Sequence, residues 1–338
     1  MSALASRERL LQLIRAFRGR RVLVLADLVA DEFITGRVER VSREAPVLIL
    51  KYDSTDLRLG GGANAAHNIK SLGGAPLPLG VLGRDAHGQR LRALLRSRKI
   101  DVRRVFSEPR YATPVKTRIL GGGVHQAKQQ VVRIDKATRL ESARARARVE
   151  RALFAYRGPL DAVLVSDYGF GLLTPGLVRS AIAAARRRRV PITVDSRFDL
   201  LAFRGMTAVT PNEPEVEAAL GVSIGHDQRR LEQAGRALLR RLHTQAVLIT
   251  RGSDGMALFE RERPPLHIPI FGSDQVADVT GAGDTVIATF TLALAAGATP
   301  AEAGRLANYA GGIVVMKQGT ATASAAELVA AVRSDAAR

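Results

Sequence analysis

Short apolar runs recur along the 338 residues, and each stops at a polar residue or a glycine. The first is Arg21-Val22-Leu23-Val24-Leu25-Ala26, followed by Asp27 and Asp31. A continuous run of this length predicts a buried parallel strand. In open α/β sheets ligands sit beyond the carboxyl ends of strands, which makes Asp27 and Asp31 candidate substrate contacts. Val47 to Leu50 predicts a second strand, and a helical pattern from Ala63 to Leu72 is entered from Gly60-Gly61-Gly62. A strand over 76–81 and a helix over 87–98 follow. Residues 112–135 carry Thr113-Pro114-Val115, Gly121-Gly122-Gly123 and Gln130 to Ile134, a hairpin-rich pattern. With residues 31–52 it predicts a small β layer over the site. After Lys136, runs at Val163–Val165, Ile192–Val194, Ala208–Thr210 and Val247–Ile249 alternate with helical patterns. The reading is one α/β domain over residues 1–338, with parallel strands and right-handed crossovers. No internal repeat or low-complexity linker interrupts it, and only the residues after Val332 read as frayed.

Composition narrows the chemistry. Hydrophobic residues make up 46% and charged residues 25%, enough for a sizeable core. There is no cysteine, which excludes disulfides, thiolate metal sites and cysteine nucleophiles. The start, MSALASRERLLQLIRAF, reads as an amphipathic helix and not a signal peptide. The longest apolar stretch, Val286 to Ala296, is short of the ~20 residues a bilayer requires. These features predict a cytoplasmic protein with no membrane partner. The formal net charge of +19 points to anionic partners. The arginines, however, are spread along solvated helix patterns, and aromatics are only 4%, so nucleic acid is a disfavoured partner.

Four segments carry candidate chemistry. Asp278-Val279-Thr280-Gly281-Ala282-Gly283-Asp284-Thr285 precedes the helical run from Val286. Glycines before a helix aim backbone N–H groups into a concavity, where the helix dipole adds positive potential. That suits a transferring phosphoryl group. Asp284 falls in the first turn, where it can accept a proton from an attacking hydroxyl and the dipole is expected to keep it ionised. A capped glycine turn would read the same in isolation. Thr250-Arg251-Gly252-Ser253-Asp254-Gly255 follows a strand. It reads either as a phosphate cradle, with Thr250 and Arg251 as donors, or as a plain hairpin turn. Asn212 and Glu215, three apart at a helix start, suit Mg²⁺, and equally a capping box. Gly60-Gly61-Gly62-Ala63-Asn64 follows a β-like segment and lacks the later acidic residue of a dinucleotide fingerprint. It predicts close backbone approach to a polyol, with Asn64 bonding its hydroxyls.

Together these segments resemble the PfkB, or ribokinase-like, carbohydrate kinase family, from about Arg21 to Val332. The resemblance implies a three-layer α/β fold: a mainly parallel central sheet, flanking helices and a small β-sheet lid. It implies Asp284 as catalytic base and Gly281, Ala282 and Gly283 as anion hole. Sugar contacts are implied for Asp27, Asp31, Gly61, Gly62 and Asn64, and Lys116, Arg118 and Arg133 are candidates from the lid. ATP contacts are implied for Asp195, Arg197, Asn212, Thr250, Gly252, Gly255, Asn308 and Lys317. Asn212 and Glu215 match a magnesium motif, and Asp278 and Thr280 fall where many members bind a monovalent cation such as K⁺. Members often dimerise through the lid.

Within the family the chain looks most like the heptose-7-phosphate kinases, through residues 27–31, 42–47, 129–135 and 307–320. Those enzymes phosphorylate the anomeric hydroxyl and are often fused to a nucleotidyltransferase, so this chain is expected to perform only the first step. Two departures stand out. Where those kinases read Asp-Tyr-x-Lys-Gly, this chain has Asp167-Tyr168-Gly169-Phe170-Gly171, and Ser196-Arg197 replaces Pro-Lys after Asp195. The distal phosphate then needs other cations, or the substrate is an unphosphorylated sugar, polyol or nucleoside. A non-catalytic sugar-binding paralogue is disfavoured because Asp284 is present.

Overall fold

A computed structural model describes residues 6–123, 128–272 and 277–335. Its main sheet has nine strands. In spatial order they are β13 (Leu266–Ile268), β12 (Met256–Glu260), β11 (Ala246–Thr250), β10 (Ala208–Val209), β9 (Ile192–Ser196), β8 (Ala162–Asp167), β1 (Arg21–Ala26), β4 (Ala75–Gly83) and β5 (Val105–Glu108). Pairing is parallel from β11 to β5, as the apolar runs predict. The β11–β12 and β12–β13 pairs are antiparallel. The sheet is thus mainly parallel, as expected, and the glycine-rich turn after Thr250 is a hairpin connection and not a crossover.

The sheet divides the core in two. Val22, Val24 and Ala26 of β1 pack on one side, and Leu23 and Leu25 on the other. The first side is covered by α1 (Arg7–Ala16), α2 (Gly62–Ser71), α8 (Ala282–Ala295), α9 (Pro300–Val315) and α10 (Ala325–Ser334). The second is covered by α4 (Ala143–Ala155), α5 (Pro175–Arg188), α6 (Glu213–Leu220) and α7 (Gln228–Leu242). Helix α8 is buried from Asp284 to Ala293, which its apolar circumference allows. The remaining helix, α3 (Ala86–Ser97), caps β4.

A second, four-stranded sheet has the order β3 (Leu48–Gly61), β2 (Leu28–Val41), β6 (Val115–Gly122), β7 (Gln129–Lys136). It uses the two predicted segments but extends further: β2 begins directly after Asp27, and β3 runs into the glycine cluster. Sequence periodicity hid this, because the stretch Lys51 to Asp56 in the middle of β3 is mostly exposed and polar. The register sets Asp31 opposite Lys116 and Phe33 opposite Arg118, so their side chains share one face.

Candidate active site

The ends of β1, β3 and β8 and the starts of α2 and α8 meet beneath the second sheet. At the return from β3 into α2, Gly61 takes φ +54°. A Cβ on Gly62 would lie 2.1 Å from the Ala26 Cβ, so only glycine lets α2 start against β1. This close approach places Asn64, in the first turn of α2, wholly inside the protein. Its Nδ2 donates to Asp284 Oδ2 at 3.0 Å. Tyr168, directly after β8, donates its hydroxyl to Asp284 Oδ1 at 2.8 Å. Both oxygens of the Asp284 carboxylate are therefore held by neutral donors.

Asp284 begins α8, whose N-cap Gly281 takes φ +79° and offers no side-chain cap. The first-turn amides of a helix lack intrahelical acceptors. A Cβ on Gly281 would meet Asn64 Nδ2 at 2.6 Å, whereas one on Gly283 would meet nothing within 4 Å. The α8 start thus presents backbone to open space beside a carboxylate, the arrangement expected of an anion hole. The helix dipole is not the only influence on the charge of Asp284. Burial pushes its pKa up to about 7, although the Asn64 and Tyr168 hydrogen bonds pull the other way.

The lid cations are distributed unequally. Arg118 Nη1 donates to Asp31 Oδ1 at 2.8 Å, with both side chains almost fully buried. The Lys116 ammonium stands 4.6 Å from the centre of the Tyr168 ring. Burial and the nearby Arg197 charge lower its pKa. Arg133 lies opposite Arg118 in the register, but on exposed β7, where it pairs with Asp135 at 2.8 Å. Asp27, expected as a sugar contact, is buried at the loop after β8. Its Oδ2 accepts the backbone N–H groups of Tyr168 at 3.0 Å and Phe170 at 3.2 Å, so it supports the loop after β8.

On the other flank, Asp195 ends β9 and Glu215 lies in the first turn of α6. Burial raises the pKa of both carboxyls, and for Asp195 the Glu215 and Asp284 charges add to it. Asn212 caps α6 in a complete capping box: Asn212 Oδ1 accepts Glu215 N–H at 2.8 Å, and Glu215 Oε2 accepts Asn212 N–H at 2.9 Å. Thr250 bridges to Asn212 across the strand ends. Gly252 and Gly255 both have positive φ in the hairpin turn. Arg251, expected as a phosphate donor, is instead bonded to Glu213 at 2.8 Å and buried. Asn308 donates to Pro269 O at 2.8 Å and lines a groove of about 490 Å³ with Ile268 to Gly272 and Tyr309. Lys317 pairs with Glu327 at 2.6 Å at the start of α10, so it does not join the others. Arg197 is exposed. Asp278 accepts Thr280 N–H at 2.8 Å and Gly319 N–H at 2.9 Å. Burial works to raise its pKa, but these bonds hold it below the ordinary value.

Tyr168 is the Asp284 partner that the sequence pattern did not single out. Its signal was positional: it follows the apolar run Val163–Val165 at a strand's carboxyl end. Only its neighbour Phe170 was weighed, for a missing lysine.

Comparison with known proteins fits this geometry. The profile described as pfkB family carbohydrate kinase matches residues 28–327. The chain belongs to this family. It is a carbohydrate kinase, and membership implies ATP and a divalent metal. Among curated relatives it is 42% identical over 309 residues to the bifunctional protein HldE of Geobacter metallireducens, covering 91% of this chain and 62% of that one. It is 40% identical over 312 residues to the HldE of Pelobacter propionicus, covering 92% of this chain and 62% of that one. The kinase thus spans under two thirds of the length of these relatives. Its fold is that of Escherichia coli phosphofructokinase-2, with a TM-score of 0.74 at 18% identity, covering 94% of this chain and 99% of that one. Arabidopsis thaliana ribokinase, solved with ribose and ATP, gives 0.70 at 20% identity, covering 94% and 99%.

Proposed function

We propose that the kinase phosphorylates the anomeric hydroxyl of heptose 7-phosphate, giving heptose 1,7-bisphosphate in the cytoplasm for ADP-heptose and lipopolysaccharide precursor synthesis. The observation that carries the phosphotransfer reading is the Asp284 carboxylate, gripped by Asn64 and Tyr168 at the uncapped start of α8. ATP, when bound, supplies the γ-phosphoryl group. Asp284 accepts the proton from the sugar hydroxyl as that oxygen forms its bond to the γ-phosphorus and the bond from phosphorus to the β–γ bridging oxygen breaks, releasing ADP. The Gly281–Gly283 backbone stabilises charge on the transferring oxygens. Among the described residues no helix is long and apolar enough to cross a membrane.

The phosphorylated substrate is supported by Lys116 and Arg197. Burial first, and the Arg197 charge second, disfavour the Lys116 ammonium despite Asp31 and Asp284, a tension that an anionic substrate relieves. The relatives named HldE and the resemblance to heptose-7-phosphate kinases support the same class. The rival, an unphosphorylated sugar, draws on Phe170 and on the commitment of Arg118 and Arg133 to aspartates. ADP release across a panel of sugars tests the two. Turnover of heptose 7-phosphate at least tenfold above any unphosphorylated sugar is expected, and activity confined to unphosphorylated sugars would overturn the proposal.

For magnesium we propose Glu215, with Asn212 at the same helix start and Asp195 beside them. Among the described residues no three acidic or histidine side chains cluster as a metal cage. A site with few carboxylates suits Mg²⁺, which keeps water and substrate phosphates as ligands. Glu215→Gln preserves the capping box while removing charge. It is expected to leave the melting temperature within a few degrees while raising the Mg²⁺ concentration for half-maximal activity ~10-fold or more. An unchanged Mg²⁺ requirement would remove Glu215 from the metal site. Asp278 and Thr280, tied to the Gly319 loop, are the proposed surroundings of a monovalent cation such as K⁺.

We further propose a homodimer through the lid. Among the described residues, eight of the twelve exposed large hydrophobics lie there: Val38, Val41, Val47, Leu48, Tyr52, Val131, Val132 and Ile134. Such a concentration on an open sheet marks a protein contact. Wild type is expected to sediment as a dimer and a Tyr52→Glu/Ile134→Glu variant as a monomer. A monomeric wild type would dismiss this contact.

A further inference from the structure

The loop after β8 connects the two halves of the site. Asp27 directly follows β1 and Asp167 ends β8, on neighbouring strands paired Ala26 to Ser166. Neither carboxylate is answered by a cation within hydrogen-bond distance among the described residues. Instead Asp27 Oδ2 takes the N–H groups of Tyr168 and Phe170. Asp167 Oδ1 takes the Gly169 N–H at 3.0 Å, and its Oδ2 takes the Ser196 hydroxyl at 2.7 Å. Three successive amides are thus gripped by two buried carboxylates. The loop can present them this way because Gly169 and Gly171 take φ +77° and +86°. The consequence is the placement of one side chain. The Tyr168 ring lies beneath the Lys116 ammonium, and a Cβ on Gly61 would come within 3.2 Å of it. Its hydroxyl ends on Asp284 Oδ1.

We propose that Asp27 is a positioning residue: it holds the 168–170 backbone so that the Tyr168 hydroxyl orients the Asp284 carboxylate, and it is not a sugar ligand. With Asn64 on one oxygen and Tyr168 on the other, Asp284 keeps one lone pair aimed at the sugar hydroxyl. This inference rests on Asp284 being the base, but on no particular sugar. The charged groups that face Asp284 are Asp31 from β2, Lys116 from β6 and Asp195 from β9, with Tyr168 itself the remaining titratable neighbour. None of the three charges lies on the loop that Asp27 holds.

Tyr168→Phe keeps the ring and removes the donor. Since the lost bond favours the charged carboxylate, the Asp284 midpoint, read by carboxyl ¹³C NMR of the full chain without substrate, is expected to rise by about one pH unit. The acid limb of kcat/KM should move with it, while the sugar KM changes less than about threefold. Asp27→Ala is expected to shift the midpoint in the same direction. Adding it to Tyr168→Phe should cost no further kcat, because the two act in series. Asp27→Asn, which still offers an oxygen to the two amides, should restore most of the loss and serves as the folded control. The proposal is overturned if Asp27→Asn raises the sugar KM with kcat and the Asp284 midpoint unmoved, the behaviour of a sugar ligand. It is equally overturned if the Asp27 and Tyr168 effects are additive. Should Asp284→Asn keep full turnover, the base assignment itself falls. A dead Asp284→Asn beside an unaffected Tyr168→Phe sinks only the positioning role.

Discussion

Asp284→Asn is expected to lower kcat at least ~100-fold, the lower range for a positioned acid–base group. The replacement is nearly isosteric, so it leaves the packing of α8 in place; it removes the base and exchanges one acceptor oxygen for an NH₂ that the Tyr168 hydroxyl can accept from. Wild-type kcat/KM should fall about tenfold per pH unit below about 7, because the buried Asp284 carboxyl is protonated there. A stability measurement supplies an independent check. The folded-state pKa is raised above 3.8 to about 7, so the favourable contribution of the neutral acid is complete below pH 3.8 and is lost as pH rises through 7. The asparagine variant, always neutral, should therefore be more stable than wild type at pH 8 and lose that advantage toward pH 4. Turnover within threefold of wild type would remove Asp284 from the chemistry.

The second large effect concerns the lid. Arg118→Met removes the partner of Asp31 while keeping much of the apolar bulk over Phe33. A buried carboxylate left alone costs about 3–5 kcal/mol, and a lone pair partner deletion is where that figure applies. The nearby Lys116 ammonium offers partial compensation, which favours the lower end. Urea denaturation at pH 7.5 measures it. The double variant Arg118→Met/Asp31→Leu should recover most of the loss, since two apolar residues of matched size replace the pair. A single-variant loss under 1 kcal/mol would mean that water reaches Asp31 and that the pair is not part of the lid's stability.

The legible features were those with a local cause. Apolar runs located β1, β4, β8, β9 and β11 because strands buried on both faces need no alternation. The extent of β3 was not legible. Its outer half is exposed, so no hydrophobic period marks it. Arg251 shows the same limit in the site. As a donor beside a glycine turn it suited a phosphate, but Glu213 from the start of α6, 38 residues earlier, occupies it.

Sequence alone determined the family, the parallel α/β body and the segment ending at Asp284, because glycines before an apolar helix are a local instruction. Tertiary structure decided what surrounds that aspartate. Asn64 lies 220 residues away and Tyr168 lies 116 residues away, yet they hold its two oxygens. Tertiary structure also shifts its protonation toward the neutral form. A helix start favours the charged form over one turn, while burial from every side disfavours it more strongly, and burial is a property of the whole fold.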